Sequence, residues 1–399
     1  MATLLLLIIY LAFISLGLPD SILGAAWPVM QPDLNVPIEM AGLLFMTIAG
    51  GTIVSSLVSG RLLKRFGTGK VAAVSTLMTA LALSGFFFAP SIVWLFVCAV
   101  PLGLGAGAID AGLNDYVATH YHAHHMSWLH SFWGVGATLG PVIMAQFIIG
   151  DPAWRNGYLM IAGIQFVLVL VLFLTLPLWG KVKTKPFAEK ASETVEKKLD
   201  SVRPLRIKGV KLALAAFFFY CGVEALVGLW GASFLVNMKD LPAATAAQWV
   251  SLYYAGITAG RFISGFVTFR LNNKTMIRSG QAIALAGALL LVLPLPLYFS
   301  LGGFILVGLG LAPIFPSMLH ETPARFGREH SQTIMGYQMA VAYTGSTFLP
   351  PLFGLIAAQS TIGLFPVVVV LFVAAMLLSS EWLNKLLHSL RTQREKVSA

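Results

Sequence analysis

Charge is what this sequence has least of. Lysine, arginine, aspartate and glutamate together make up 11% of its 399 residues, against about 25% in a soluble domain. So few ions cannot clothe a water-facing surface, and a soluble globule is excluded. Cysteine is scarcer still: Cys98 and Cys221 are the two, and both fall in apolar stretches. They suggest neither a disulfide framework nor a cysteine metal site. The phosphate-cradling glycine loop, the HExxH pair and the Gly-x-Ser-x-Gly elbow are missing as well. We therefore expect no enzyme activity, no cofactor and no metal.

Apolar residues are abundant, at 57% of the chain. A hydrocarbon core of ~30 Å takes about 20 residues of helix. The sequence divides into twelve such stretches, near 4–30, 38–62, 71–90, 92–117, 127–150, 157–179, 209–236, 246–269, 276–299, 301–320, 331–357 and 361–384. The fold class expected is an all-α membrane protein of twelve transmembrane helices, embedded in a lipid bilayer. The first stretch carries an acid and lacks a small-residue cleavage site, so it reads as a retained helix.

The net charge of +10 is a topology signal and not a nucleic-acid footprint. With the N-terminus cytoplasmic, the inner segments collect Arg61, Lys64, Arg65, Lys70, the basic residues from Lys181 to Lys211, Arg270, Lys274, Arg278, Arg325, Arg328 and the C-terminal cluster. Only Arg155 and Lys239 fall outside, and Arg261 lies within a stretch. Cytoplasmic loops carry the excess of lysine and arginine, so both termini are expected in the cytoplasm.

The chain also repeats itself. The segment rich in Lys, Glu, Ser and Thr around 180–208 reads as a solvated linker. It separates a six-helix half at 1–179 from a second at 209–387, with a cytoplasmic tail at 388–399. Gly60 and Lys64 are mirrored by Gly265 and Phe269, and Gly103 and Gly105 by Gly308 and Gly310, at an offset of 205. Asp20 and Gly24 in the first stretch are mirrored by Glu224 and Gly228 in the seventh, at an offset of 204. Paired repeats of this kind point to alternating access.

On these repeats, and on Gly60, Lys64, Arg65, Gly67 and Lys70 after the second stretch, the whole chain resembles the major facilitator superfamily. In that family's loop signature a glycine allows close helix contact and an Asp–Arg pair helps latch the cytoplasmic side. Here the Asp position is Lys64, and the second copy has Phe269 beside Arg270, so the charge relay does not carry over. The same basic residues are equally explained as membrane anchors. A narrower resemblance, to the fucose, galactose and glucose proton-symporter branch, rests on Gly17, Pro19 and Asp20; Gly107, Asp110 and Asn114; His130, Trp133, Gly134 and Gly136; Gly222, Glu224 and Trp230; and Gly260 with Arg261. It implies that Asp20 and Asp110 serve proton coupling and substrate binding.

Read as chemistry, a charged group near a bilayer midplane is costly and belongs in the bundle interior. Asp20, Asp110, Glu224 and Arg261 are the groups in question. Asp20 and Trp27 share a helix face, and an acid beside an indole suits a sugar. A carboxylate in a poorly hydrated cavity can also load and release a proton, the reading preferred here to a structural hydrogen bond with a neighbouring helix. Asp110 and Asn114 are four apart and share a face, which lines a cavity or ties the fourth helix to the fifth. His130 and Trp133 enter from the cytoplasmic side at the depth of Asn114 and Asp115, where His130 either reaches an aspartate such as Asp115 or caps the helix end and faces lipid headgroups. Glu224 and Arg261 form an ion pair on the simplest reading, which makes Glu224 the weaker coupling candidate. If Arg261 faces substrate instead, its fork favours a carboxylate or phosphate. Trp230, Tyr254, Gln338 and Tyr343 complete the candidate binding set, or anchor at the interface. His120, His122, His124 and His125 crowd one loop, read as solvated rather than metal-binding.

The function expected is proton-coupled import of a sugar or sugar-like polar solute, with sodium as the alternative ion. The location expected is the cell (plasma or inner) membrane, and the state monomeric. Two other readings stand beside it. Gly136, Gly140 and Pro141 resemble part of the antiporter motif of drug-efflux transporters, but Val142 to Ala145 replace its second glycine pair. A non-transporting sensor or lipid-handling protein on the same scaffold is the reading from another class.

Overall fold

The computed structural model describes residues 2–149, 153–180, 204–267 and 270–398. Among these residues the chain is helical and has no strand. We number the long helices α1 (Ala2–Asp33), α2 (Met40–Phe66), α3 (Thr68–Phe87), α4 (Ile92–His120), α5 (Ala123–Phe147) and α6 (Trp154–Leu174), then α7 (Val210–Lys239), α8 (Ala243–Val267) and α9 (Asn273–Val292). Next come α10, in two pieces (Leu297–Leu311 and Ile314–Phe326), α11 (Arg328–Gln359) and α12 (Phe365–Ser398).

Among the described residues, ten of the twelve are long and apolar enough to cross a membrane. The two that fall short, α5 and α8, carry His130 and Trp133, and Gln248, Tyr253, Tyr254 and Arg261. These two helices pack against each other, so their polar residues are spent inside the bundle.

Several boundaries differ from the hydropathy reading. The ninth stretch was expected over 276–299, but α9 stops at Val292. Pro294 and Pro296 follow at once, and neither can donate the backbone N–H that would continue the helix. The tenth helix starts earlier as a result, at Leu297. At the C-terminus α12 runs unbroken to Ser398, past the tail boundary expected at 388. Most of the linker, residues 181–203, lies outside the described residues, as do Asp151, Pro152 and Phe269.

Neighbour relations in α1–α6 recur in α7–α12. Helix α1 packs on α5 as α7 packs on α11; α4 packs on α2 and α3 as α10 packs on α8 and α9; α3 meets α6 as α9 meets α12. Between the two sets, α2 meets α11, α5 meets α8, and α1 meets α7. These are the relations of a pseudo-two-fold axis, with α1 and α7 crossing on it. At the crossing Gly24 faces Gly228, the pair that the repeat relates. A Cβ on Gly24 would lie 2.1 Å from the Gly228 carbonyl oxygen, so the two backbones touch.

The start of α1, the end of α12, the α2–α3 turn and the starts of α5 and α7 lie at one end of the bundle, here the terminal end. Tyr10 Oη sits 2.8 Å from His125 Nδ1 there, and Gly209 packs on Leu383. At the far end Arg155 Nη1 donates to Asp33 Oδ2 at 2.7 Å, Trp154 Nε1 donates to the same oxygen at 3.0 Å, and Arg155 Nη2 donates to the Ala89 carbonyl at 3.0 Å. That cluster ties α1 and α6 to the α3–α4 turn.

Inside α1, Pro19 has no N–H for the Ser15 carbonyl. A buried carbonyl left bare in an apolar interior costs about 1–3 kcal/mol. Gln165 on α6, itself buried, donates Nε2 to it at 3.1 Å and takes the Thr79 hydroxyl of α3 on its own oxygen. The helix thus carries a proline immediately before Asp20 without an orphaned acceptor.

Candidate functional site

Asp20 is solvent-exposed although it lies mid-way along α1, a helix most of whose residues are buried. The opening it faces is internal. Trp133 on α5 donates its indole N–H to Asp20 Oδ2 at 2.8 Å. Asp110 on α4 and Tyr254 on α8 both lie within electrostatic reach of its carboxylate. On α4, Asn114 Nδ2 donates to Asp110 Oδ1 at 2.9 Å, as their four-residue spacing requires.

The other wall belongs to α7 and α8. Arg261 Nη2 stands 3.4 Å from Glu224 Oε1, with side chains 17% and 19% exposed. The same guanidinium lies over the Trp133 ring, 5.4 Å from its centroid. Four side chains therefore run in series across the axis: Asp20, Trp133, Arg261, Glu224. Tyr253 Oη donates to the Glu224 carbonyl at 3.1 Å, and Tyr220 sits beside the guanidinium without a well-formed hydrogen bond. Tyr343 on α11 reaches the same space, near Asp110 and Cys221. The sequence reading did not place Tyr220 or Cys221 in the site, yet they precede Glu224 by four and three residues. Helical spacing alone puts them on its face.

His130 is exposed in the cavity and feels Arg261, and its ring meets Phe13 edge-on at 5.9 Å. The contact with Asp115 that the sequence left open is not made. Helix α5 packs chiefly on α1 and only lightly on α4, which turns His130 toward Phe13, while Asp115 is exposed.

Three other candidates lie away from the cavity. Trp27 and Trp230 are buried in the layer between the cavity and the far end, and Trp230 donates to the Pro350 carbonyl at 2.9 Å. Gln338 is buried too, accepting the Thr322 hydroxyl at 3.0 Å between α10 and α11. Of the loop residues, Gly60, Lys64, Arg65, Gly67 and Lys70 are exposed, as is Arg270. Among the described residues none of Lys64, Arg65, Lys70 and Arg270 pairs with a carboxylate. A Cβ added to Gly60 would meet nothing within 4 Å, so no close helix contact uses this glycine in this conformation. The glycine that the turn needs is Gly67, whose φ of +79° lies in the left-handed half of backbone space. In the histidine loop His120 stacks on Tyr116. No group of three metal-ligating side chains occurs among the described residues.

The cavity opens toward the terminal end. Helices α2 and α11 meet near the far end, where a Cβ on Gly42 would fall 2.6 Å from Pro351 and one on Gly354 would fall 3.4 Å from Glu39. Nearer the terminal end Gly50, Gly60 and Gly336 face open space. The buried layer of Leu23, Trp27, Leu226 and Trp230 seals the far side.

The family model described as "Major Facilitator Superfamily" matches residues 9–350. The glucose/mannose transporter GlcP of Bacillus subtilis is 24% identical over 321 residues, covering 78% of this chain and 77% of that one. The hexuronate transporter of the same organism is 25% identical over 296 residues, covering 70% and 68%. The inward open xylose transporter XylE from E. coli superposes with a TM-score of 0.76 at 13% identity, over 97% of this chain and 96% of that one; at this identity the likeness is one of fold. The recurring helix neighbours, the axial crossing of α1 and α7 and the matched sequence lead to one conclusion: the chain belongs to the major facilitator superfamily of multi-pass membrane transporters.

Proposed function

We propose that this transporter imports an uncharged polar solute, of which a sugar is the best fit, together with protons, by alternating access about the α1–α7 crossing. The observation that carries the reading is the charge balance of the central cavity. Among the described residues, Asp20, Asp110 and Glu224 face a single guanidinium, Arg261. With Arg261 neutralised by Glu224, two carboxylates remain to be discharged, and protons do that without a partner ion. An anionic solute would add to the excess of negative charge. A neutral polyol instead gains acceptors at Asp20, Asp110 and the amide oxygen of Asn114, whose Nδ2 is already held by Asp110, a donor at Tyr343, and an aromatic wall in Trp133. A lining this polar also argues against efflux of lipophilic compounds, whose sites are mostly apolar.

In this reading all twelve helices span the membrane, and the halves 1–179 and 209–387 rock against each other. The terminal end, with its exposed Lys64, Arg65, Lys70 and Arg270, faces the cytoplasm. Asp20 is the principal proton site and Asp110 the second. Trp27, Trp230 and Gln338, being enclosed, hold the fold rather than the solute. The protein works as a monomer in the cell membrane.

The test is reconstitution in liposomes that enclose a pH dye. Hexoses, deoxyhexoses, sugar acids and lipophilic cations are added one at a time. Acidification of the lumen by a neutral sugar is the expected result. Acidification by sugar acids alone would assign Arg261 to substrate, and alkalinisation by a lipophilic cation would replace symport with efflux.

A further inference from the structure

Trp133 occupies an unusual position between the two halves. Its edge and its face are both used, by groups of opposite charge on different helices. The indole N–H holds Asp20 of α1, at 2.8 Å, within the first half. The ring face holds Arg261 of α8, at 5.4 Å, across the divide. The rest of the α5–α8 seam is packed closely around this point. The Trp128 and Phe262 rings meet edge to face at 6.2 Å, Thr138 Oγ1 lies 3.5 Å from Thr258 Oγ1, and a Cβ on Gly134 would fall 2.4 Å from that hydroxyl.

We infer that Trp133 is the positioning residue through which the proton on Asp20 controls the α5–α8 seam. This inference rests on the proton-coupled reading of Asp20 given above. A charge-assisted hydrogen bond is roughly twice as strong as a neutral one. While Asp20 is ionised, it fixes the indole plane, and a fixed plane presents its electron-rich face to Arg261. When Asp20 takes a proton from the cavity water, the charge-assisted bond is lost, the ring is free to turn, and the guanidinium falls back on Glu224 alone. The seam then opens more readily.

Other titratable and charged groups face this assembly from each neighbouring helix: Asp110 on α4, His130 on α5, Glu224 and Tyr220 on α7, and Tyr253 and Tyr254 on α8. His130 also lies between Phe13 and Arg261, but Trp133 alone among these side chains both donates a hydrogen bond to Asp20 and lies under the guanidinium of Arg261. This role is additional to that of an aromatic wall: Asp20 holds the edge of the ring and Arg261 covers one of its two faces, while the residue itself is half-buried.

The experiment needs no substrate. Nitroxide labels are attached to cysteines at Leu57 on α2 and Phe266 on α8, both exposed, in full-length protein carrying Cys98→Ala and Cys221→Ala. The distance between the labels is read in nanodiscs at about pH 5 and about pH 8, a range that spans carboxylate titration in protein interiors. The labelled parent is expected to shift by roughly 5 Å, the scale of helix displacements in such transitions. Asp20→Asn should abolish the shift. Trp133→Phe, which keeps a ring over Arg261 but removes the N–H, should abolish it too, and Trp133→Tyr, which returns a donor to the ring edge, should recover part of it. A parent that does not shift, or an Asp20→Asn variant that still does, overturns the proton reading and this inference with it. A Trp133→Phe variant that shifts like the parent, while Asp20→Asn does not, overturns the role of Trp133 alone. Should Trp133→Phe fail to fold, the tyrosine variant decides: a full loss of response despite a folded protein refutes donation as the link.

Discussion

Replacing Gly24 with alanine tests the centre of the architecture and requires no knowledge of the substrate. The new Cβ would stand 2.1 Å from the Gly228 carbonyl oxygen and 2.7 Å from both Cα and O of Leu229. All three are backbone atoms, so no side chain can swing aside. Restoring ordinary contact distances would require α1 and α7 to part by roughly 1 Å or more. That separation would loosen the layer of Trp27, Leu226 and Trp230, all three of them buried. Overpacking of this kind typically costs 1–3 kcal/mol, and an immovable backbone places it near the top, about 3 kcal/mol. For a chain of this length each kcal/mol is worth a few degrees at most, so the thermal midpoint should fall by roughly 5 °C. Gly60→Ala is the matched control. Nothing lies within 4 Å of its methyl, and alanine is the better helix former by about 1 kcal/mol, so its midpoint should hold or rise. Both variants can be heated in detergent beside the parent and scored by the monodisperse peak in size-exclusion chromatography. A Gly24→Ala protein as stable as the parent, with Gly60→Ala destabilised, would refute the crossing as the tight contact of the fold.

Three further outcomes are expected. Asp20→Asn should abolish uphill accumulation of the transported solute in proteoliposomes while sparing part of its exchange; unchanged accumulation would remove Asp20 from coupling. Glu224→Gln leaves Arg261 without its counter-charge in a site that is mostly enclosed, and should lower stability by about 1–3 kcal/mol, less than for a fully buried pair because both side chains touch the cavity. Loss of proton movement from a fully stable Glu224→Gln protein would make Glu224, not Asp20, the coupling acid. At the far end, Arg155→Ala removes the bonds to Asp33 and to the Ala89 carbonyl. The pair is about one-third exposed, so a loss near 1 kcal/mol in a thermal-shift assay is the expected size, and a loss of transport without a loss of stability would point to a gating role for that cluster.

Much of the molecule was legible in order along the chain. Sparse charge and long apolar runs dictate a helical membrane bundle, because a lipid-embedded backbone must satisfy its own hydrogen bonds. The offset between Asp20 with Gly24 and Glu224 with Gly228 exposed the repeat, and four-residue spacing placed Asn114 over Asp110. The Glu224–Arg261 pair was legible as well, since two opposite charges near mid-span have few other partners. These are local or near-local properties: each follows from composition, from helical period, or from the cost of a lone charge in hydrocarbon.

The tertiary structure alone decided which face each helix turns to its neighbours. Lipid and protein interior are both apolar, so hydropathy does not distinguish an outward face from an inward one. Trp27 shares a helix face with Asp20 by count, yet it is sealed into the layer above the cavity. Gln338 bonds Thr322, and His130 meets Phe13 rather than Asp115, because α5 packs on α1. Trp133 lies 113 residues from Asp20 in sequence, and only the rotation of α5 against α1 and α8 sets its edge on the acid and its face under the arginine. Contacts of that range depend on close packing at glycine crossings such as Gly24 with Gly228, which a list of apolar stretches does not contain.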